Sequence, residues 1–139
     1  MERYTVESGC NCSSDNKEYK KLFINDDFKI NYRFLDHRYS PVKVIPPEYV
    51  NCIFTFFIKG REDEEFIASC IDGVTTNCMI DNATNQLKII FENHGLKSGK
   101  LMVKYRFIIR DPEFPTGKAD RYGSADTRII LTEDLFEDE

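Results

Sequence analysis

The sequence predicts an all-β fold, and three observations carry that prediction. From Leu101 to Ile109 every second residue is apolar (Leu101, Val103, Tyr105, Phe107, Ile109), with Lys100, Lys104 and Arg106 on the alternate face, which is the period of a half-buried strand. The chain holds 11 Phe and 7 Tyr but no Trp, and planar side chains suit a pleated surface. No long stretch carries the 3.6-residue period of an amphipathic helix.

Taken in order, residues 1 to about 25 are polar and mixed in charge, broken by Ser8-Gly9 and Ser13-Ser14-Asp15-Asn16, and sustain neither period. They predict an extended N-terminal arm over 1–25, with Tyr4, Val6, Tyr19 and Phe23 as apolar anchors for a partner or for the arm's own domain. A first strand follows, where Phe28, Ile30, Tyr32 and Phe34 alternate with Lys29, Asn31 and Arg33, and Leu35-Asp36-His37 closes it. Pro41, Pro46 and Pro47 each delete a ladder donor, so 38–48 reads as an exposed edge or a loop. Asn51 to Lys59 is apolar on both faces, which fits a central strand that is covered on both sides or pressed on a neighbouring subunit. Gly60 to Glu65 reads as a charged hairpin turn, Phe66, Ala68 and Cys70 resume the alternation, and Asp72-Gly73 turns the chain. Asn77 to Ile80 predicts a short strand, Asp81 to Asn85 a turn, and Leu87, Ile89 and Phe91 the next strand.

Asn93-His94-Gly95-Leu96-Lys97-Ser98-Gly99 reads as a structural corner. Gly95 and Gly99 can adopt positive φ, Leu96 can turn inward to plug the core, and His94 can hold the turn by hydrogen bonding. Arg110 to Gly123 predicts a long loop in which Phe114 and Tyr122 are contact anchors, because rings of that size gain little from facing water. Thr127 to Thr132 is the last predicted strand, and 134–139 an acidic tail. About seven short strands over 26–133 favour an immunoglobulin-like antiparallel β-sandwich.

Composition narrows the function. With 139 residues, 41% hydrophobic and 31% charged, the chain suits one domain with a real core. A net charge of -5 without a basic cluster opposes nucleic-acid binding, which needs grouped Lys and Arg to displace counterions. The longest apolar run, Ile53 to Ile58, falls far short of the roughly 20 residues of a membrane helix, and Met1 to Glu7 has no hydrophobic signal segment, so neither a membrane nor a secretory role is expected. Cys10, Cys12, Cys52, Cys70 and Cys78 are odd in number and irregular in spacing, which favours free thiols in a reducing compartment over disulfides or a zinc site. There is no phosphate-cradling loop, nucleophile elbow or paired-histidine motif, so neither a catalytic residue nor a cofactor is expected.

One resemblance bears on function. Phe91-Glu92-Asn93-His94-Gly95-Leu96-Lys97-Ser98-Gly99-Lys100-Leu101, then Tyr105-Arg106-Phe107, Asp111-Pro112-Glu113-Phe114-Pro115-Thr116-Gly117 and Ile129-Ile130-Leu131-Thr132, resemble a pattern in virion proteins of crass-like tailed bacteriophages. It is similar in kind to the immunoglobulin-like N-terminal domain of phage baseplate and fibre proteins, and spans about Phe28 to Leu131. The resemblance implies a non-enzymatic structural protein, assembled in the bacterial host cytoplasm and contacting capsid, fibre or tail subunits as a homo-oligomer or in many copies. Fibre-type members continue into a shaft or receptor-binding region, whereas this sequence stops at Glu139, which narrows the expectation to head decoration, fibre attachment or a tail adaptor. The alternative is a carbohydrate-binding module for host surface glycans, using Tyr39, Phe114 or Tyr122 as stacking platforms.

Overall fold

Alternating apolar residues build a sandwich, and the computed structural model, which describes residues 4–10 by their backbone and 19–133 with their side chains, resolves it into eleven strands. They are β1 (Tyr4–Cys10), β2 (Lys20–Phe23), β3 (Phe28–Asp36), β4 (Lys43–Ile45), β5 (Val50–Ile58), β6 (Arg61–Ile71), β7 (Val74–Thr76), β8 (Cys78–Asp81), β9 (Gln86–Phe91), β10 (Gly99–Arg110) and β11 (Lys118–Thr132), with one 3-10 turn at Pro47–Tyr49. One sheet runs β1-β3-β9-β8, with β4 also on β3, and the other runs β2-β11-β10-β5-β6-β7. Every pairing is antiparallel except β2 with β11. In immunoglobulin lettering the sheets read A-B-E-D and A′-G-F-C-C′-C″, the variable-type arrangement, so the fold is an immunoglobulin-like sandwich.

Aromatic residues fill the space between the sheets. Phe28 and Phe91 of the first sheet stack at 4.3 Å, and Phe91 meets Phe56 at 4.7 Å and Phe66 at 4.9 Å from the second. Deeper in, Tyr32 stacks on Phe54 at 4.5 Å and Phe34 packs on Phe107 at 5.6 Å. In antibody domains a disulfide between strands B and F packs on a Trp of strand C. Here Tyr32 and Phe34 stand on B, Phe54 on C and Phe107 on F, so rings occupy that region. Cys52 and Cys70 are free, buried and directly opposed across β5 and β6, where they act as small apolar groups.

The fold has more strands than the sequence pattern advertises, for physical reasons that differ by segment. β1, β2, β4 and β7 are recruited by pairing to longer strands, since no period of their own marks them. Residues 60–65 are not one hairpin turn. Only Lys59-Gly60 turns, and the charged run Arg61 to Glu65 opens β6, pairing with Phe57 and Ile58 with Arg61, Glu62, Asp63 and Glu65 exposed. The loop expected over 110–123 spans only 111–117, because β11 begins at Lys118. Its inward positions hold Ala119, Arg121, Gly123 and Ala125, which erase the apolar alternation, and the Tyr105 ring covers the space a side chain at 123 would need. Where described, the segment expected as an arm belongs to the sandwich itself, with β1 in one sheet and β2 in the other. The acidic tail 134–139 lies outside the described residues.

The corner between β9 and β10 closes the core at one end. Asn93 (φ 54) and Gly95 (φ 72) take left-handed backbone, and Leu96 turns inward to 3% exposure. Gly99 has φ 135, and a Cβ there would lie 2.5 Å from Cγ2 of the buried Ile58. Gly99→Ala is therefore expected to lose about 3 kcal/mol of stability, from backbone strain and overpacking together, as measured by urea unfolding. A change below about 0.5 kcal/mol would contradict the constraint.

Candidate partner-binding surface

One end of the sandwich gathers the β3–β5 connection, the β6–β7 turn and the β10–β11 loop, the end that carries recognition loops in variable-type domains. Hydrogen bonds within the loop or to a neighbouring strand tie down the β10–β11 loop and the β6–β7 turn. Asp111 opens the 111–117 loop. Its Oδ1 accepts from the Glu113 N–H at 3.0 Å, its carbonyl from Phe114, and its N–H donates to the Gly117 carbonyl at 2.8 Å. Asp72 (φ 52) and Gly73 (φ 82) make the tight β6–β7 turn, and Asn51 of β5 accepts from the Asp72 N–H at 2.9 Å. The β3–β4 loop contains a cis Ser40-Pro41 bond.

An ion cluster locks the loops together. Asp36 is 3% exposed and Asp111 0%. Arg38 reaches both. Its Nε lies 3.0 Å from Asp36 Oδ1, its Nη2 2.7 Å from Asp36 Oδ2, and its Nη1 3.7 Å from Asp111 Oδ2. Burial opposes the charged form of Asp36, but the Arg38 side chain and backbone N–H outweigh it and hold the carboxyl below the ordinary carboxylate range.

On this base stand large apolar groups facing solvent. Tyr39 is 50% exposed, Val42 44%, Tyr49 70% and Phe114 44%. Arg38 and Lys43 both lie over the Tyr39 ring, at 5.9 and 5.2 Å. The outer face of the β2–β7 sheet adds exposed Ile67, Ile71, Val74 and Tyr122, the last beneath Arg106 at 5.4 Å. Lys104 covers Phe57 of the same face at 5.1 Å. Tyr39 and Val42 sit in the 38–48 stretch read as an edge or loop, of which only Tyr39 stood out, as a stacking platform, and Tyr49 follows directly. The Arg38–Asp111 ion pair ties that stretch to the Phe114 loop, and no local pattern signals it.

The anchors expected from sequence divide. Phe114 and Tyr122 are at the surface, but Tyr122 belongs to β11 and not to a loop. Tyr19 is engaged within the domain, its hydroxyl donating to Asp126 and its ring lying under Lys100 and Arg128. The Asp126 carboxylate raises the Tyr19 hydroxyl above the ordinary tyrosine range, mainly through that hydrogen bond. Phe23 is half-buried in β2, and its N–H donates to Asp26 at 3.0 Å. Tyr4 and Val6 lie on β1, paired with Asp36 and Phe34, and their side chains are outside the described residues. The corner residues Asn93, His94, Gly95, Leu96 and Gly99 lie at the opposite end, so they are brought together with one another and not with the loop cluster.

His94 is a structural group in that corner. Nδ1 accepts from the Leu96 N–H at 3.0 Å, so Nε2 carries the proton, and it is buried without a hydrogen bond of good geometry. The ring packs among Phe28, Phe91 and Phe66, with centroids 5.8, 6.1 and 6.5 Å away. Burial lowers its pKa, against the opposing pull of the Asp26 backbone and the Asp27 charge.

Among the described residues no group of three or more His, Cys, Asp or Glu is arranged to hold a metal ion, and no helix is long and apolar enough to cross a membrane. No protein-family model matches the chain, and no curated protein sequence matches it.

Two outcomes are expected. Arg38→Met removes the guanidinium that two buried carboxylates share and should cost about 2–4 kcal/mol, read by thermal unfolding. The Asp36 part of that stabilisation is present above about pH 4 and is lost as pH falls through the lowered folded-state value, so the gap between parent and variant should narrow in acid. Protonating His94 at Nδ1 would break its bond from Leu96. Its contribution should therefore be full above about pH 6.5 and decline as pH falls below that, and the slope should flatten in His94→Gln.

Proposed function

We propose that this chain is a non-enzymatic structural protein of a bacteriophage particle, a head decoration, fibre attachment or tail adaptor, that works by gripping a neighbouring subunit. The observation that carries the reading is the loop end, where Tyr39, Val42, Tyr49 and Phe114 are exposed above a base fixed by Arg38 between Asp36 and Asp111. Such a surface gives up little conformational freedom on docking, and burying aromatic anchors is where most binding free energy arises. Its occupant is an adjoining virion subunit with an apolar contact patch. The resemblance of the 91–132 segment to virion proteins supplies the particle as the setting, with assembly in the host cytoplasm.

A second reading draws on the same rings. Tyr39, Phe114 and Tyr122 present flat faces to solvent, and a host surface glycan could stack its C–H face on them.

Purified particles should contain the protein at a fixed copy number relative to the capsid subunit. The doubly substituted Tyr39→Ala, Phe114→Ala chain should stay folded by circular dichroism and drop at least tenfold in particle occupancy. Particles lacking the parent protein would defeat the virion setting, and normal occupancy of the variant would defeat the loop end. Saturable binding on a glycan array, lost in Tyr122→Ala, would favour the glycan reading instead.

A further inference from the structure

The outer edge of β11 is half covered. β2 pairs with it only over Ile129–Thr132, and among the described residues no strand lies along it from Lys118 to Asp126. The hydrogen bonds fix which backbone groups face that edge. The Lys59 N–H donates to the Lys100 carbonyl, so even-numbered residues of β10 point at β5 and odd-numbered ones at β11. The cross-strand pairs Val103↔Ala125, Tyr105↔Gly123, Phe107↔Arg121 and Ile109↔Ala119 are then the hydrogen-bonded ones, in agreement with the Asp111 N–H donating to the Gly117 carbonyl. Asp120, Tyr122 and Ser124 therefore turn both N–H and C=O away from the sheet, and all three residues are exposed. Lys118 does the same, with its carbonyl accepting from the Thr116 hydroxyl at 3.3 Å.

Sheet edges of this kind are usually blunted. Apart from β1, the other edges among the described residues are the three- or four-residue strands β2, β4, β7 and β8, and the 61–68 stretch of β6, where Glu62 to Glu65 repel any second copy. The free stretch of β11 differs on both counts. It is longer, and its charges are of mixed sign in an order that complements itself. Turned end for end about Tyr122, a second β11 places Lys118 opposite Asp126, Asp120 opposite Ser124, and Arg121 opposite the side-chain-free Gly123. The register needs no like-charged pair. Its hydrogen-bonded pairs, 120↔124 and 122↔122, stop short of Asp126, whose carboxylate accepts the Tyr19 hydroxyl, and of β2.

We propose that this edge pairs antiparallel with the same edge of a second copy, joining two β2–β7 sheets into one continuous sheet about a two-fold axis at Tyr122. The pairs 120↔124, 122↔122 and 124↔120 would exchange about six backbone hydrogen bonds, with the exposed Tyr122 rings meeting at the axis. This inference is independent of the phage setting and of the loop end, since it uses none of the loop residues.

The test is sedimentation velocity of the full chain from micromolar to submillimolar concentration. The parent should approach twice 16.3 kDa as concentration rises. Tyr122→Pro deletes an outward N–H and the exposed ring beneath Arg106, neither of which is part of the β10–β11 ladder, so it should keep its thermal midpoint within a few degrees and remain monomeric. A parent that stays monomeric throughout, or a folded Tyr122→Pro that still dimerises, overturns the proposal. Should Tyr122→Pro unfold, cross-linking decides. With glutathione disulfide as oxidant, two Tyr122→Cys thiols would form one interchain S–S bond, giving two protons and two electrons to the oxidant, which leaves as two glutathione thiols. Ser124→Cys should not, because its counterparts lie about 14 Å apart along the strands. A 124–124 cross-link, or none at 122 in a dimeric chain, overturns the register.

Discussion

Ring-on-ring packing between the two sheets is the constraint on which the molecule depends. Phe91 touches partners from both sheets, and Phe54 and Phe107 carry the contact across the middle. Rings of this size bury much apolar area per residue, and offset or edge-on geometry adds attraction beyond area alone. The sheets are thereby held at a fixed spacing, with free thiols at Cys52 and Cys70 as mere filler. Everything at the two ends, the glycine corner and the loop cluster, is positioned by strands whose separation those rings set.

Much of this was legible in the sequence where a strand buries one face. Phe28 to Phe34, Leu87 to Phe91 and Leu101 to Ile109 announce themselves because inward residues are large and outward ones are polar. The corner was legible too, since Asn93 and Gly95 are residue types that tolerate left-handed backbone. What failed to show were strands defined by their neighbours. Nothing in Lys20–Phe23 or Val74–Thr76 distinguishes them from loops, and β11 hides its first half behind Ala119, Gly123 and Ala125. The bulge at Arg128 (φ 66) also breaks the pattern, its geometry held by the Thr127 hydroxyl on the Leu101 carbonyl and by Asp126 on the Arg128 N–H.

The candidate surface was the least legible feature. Phe114 could be singled out as a large ring in a loop rich in Pro and Gly, but Tyr39 and Tyr49 come from a segment 65 to 75 residues earlier that is tied to this loop by Arg38 reaching Asp111. A charge pair so far apart in sequence has no local signature. Its worth is positional, because the directed bonds of a guanidinium to carboxylates set orientation as well as distance.

The first strands also tie the two halves of the molecule together, since β1 belongs to one sheet and β2 to the other. Because β2 runs parallel to β11, a pull that drew the beginning and the end of the chain apart would load their ladder in shear. Bonds loaded that way must give way together, whereas a hairpin peeled from its open end yields one at a time. A protein fastened at both ends would thus present its strongest direction to the load.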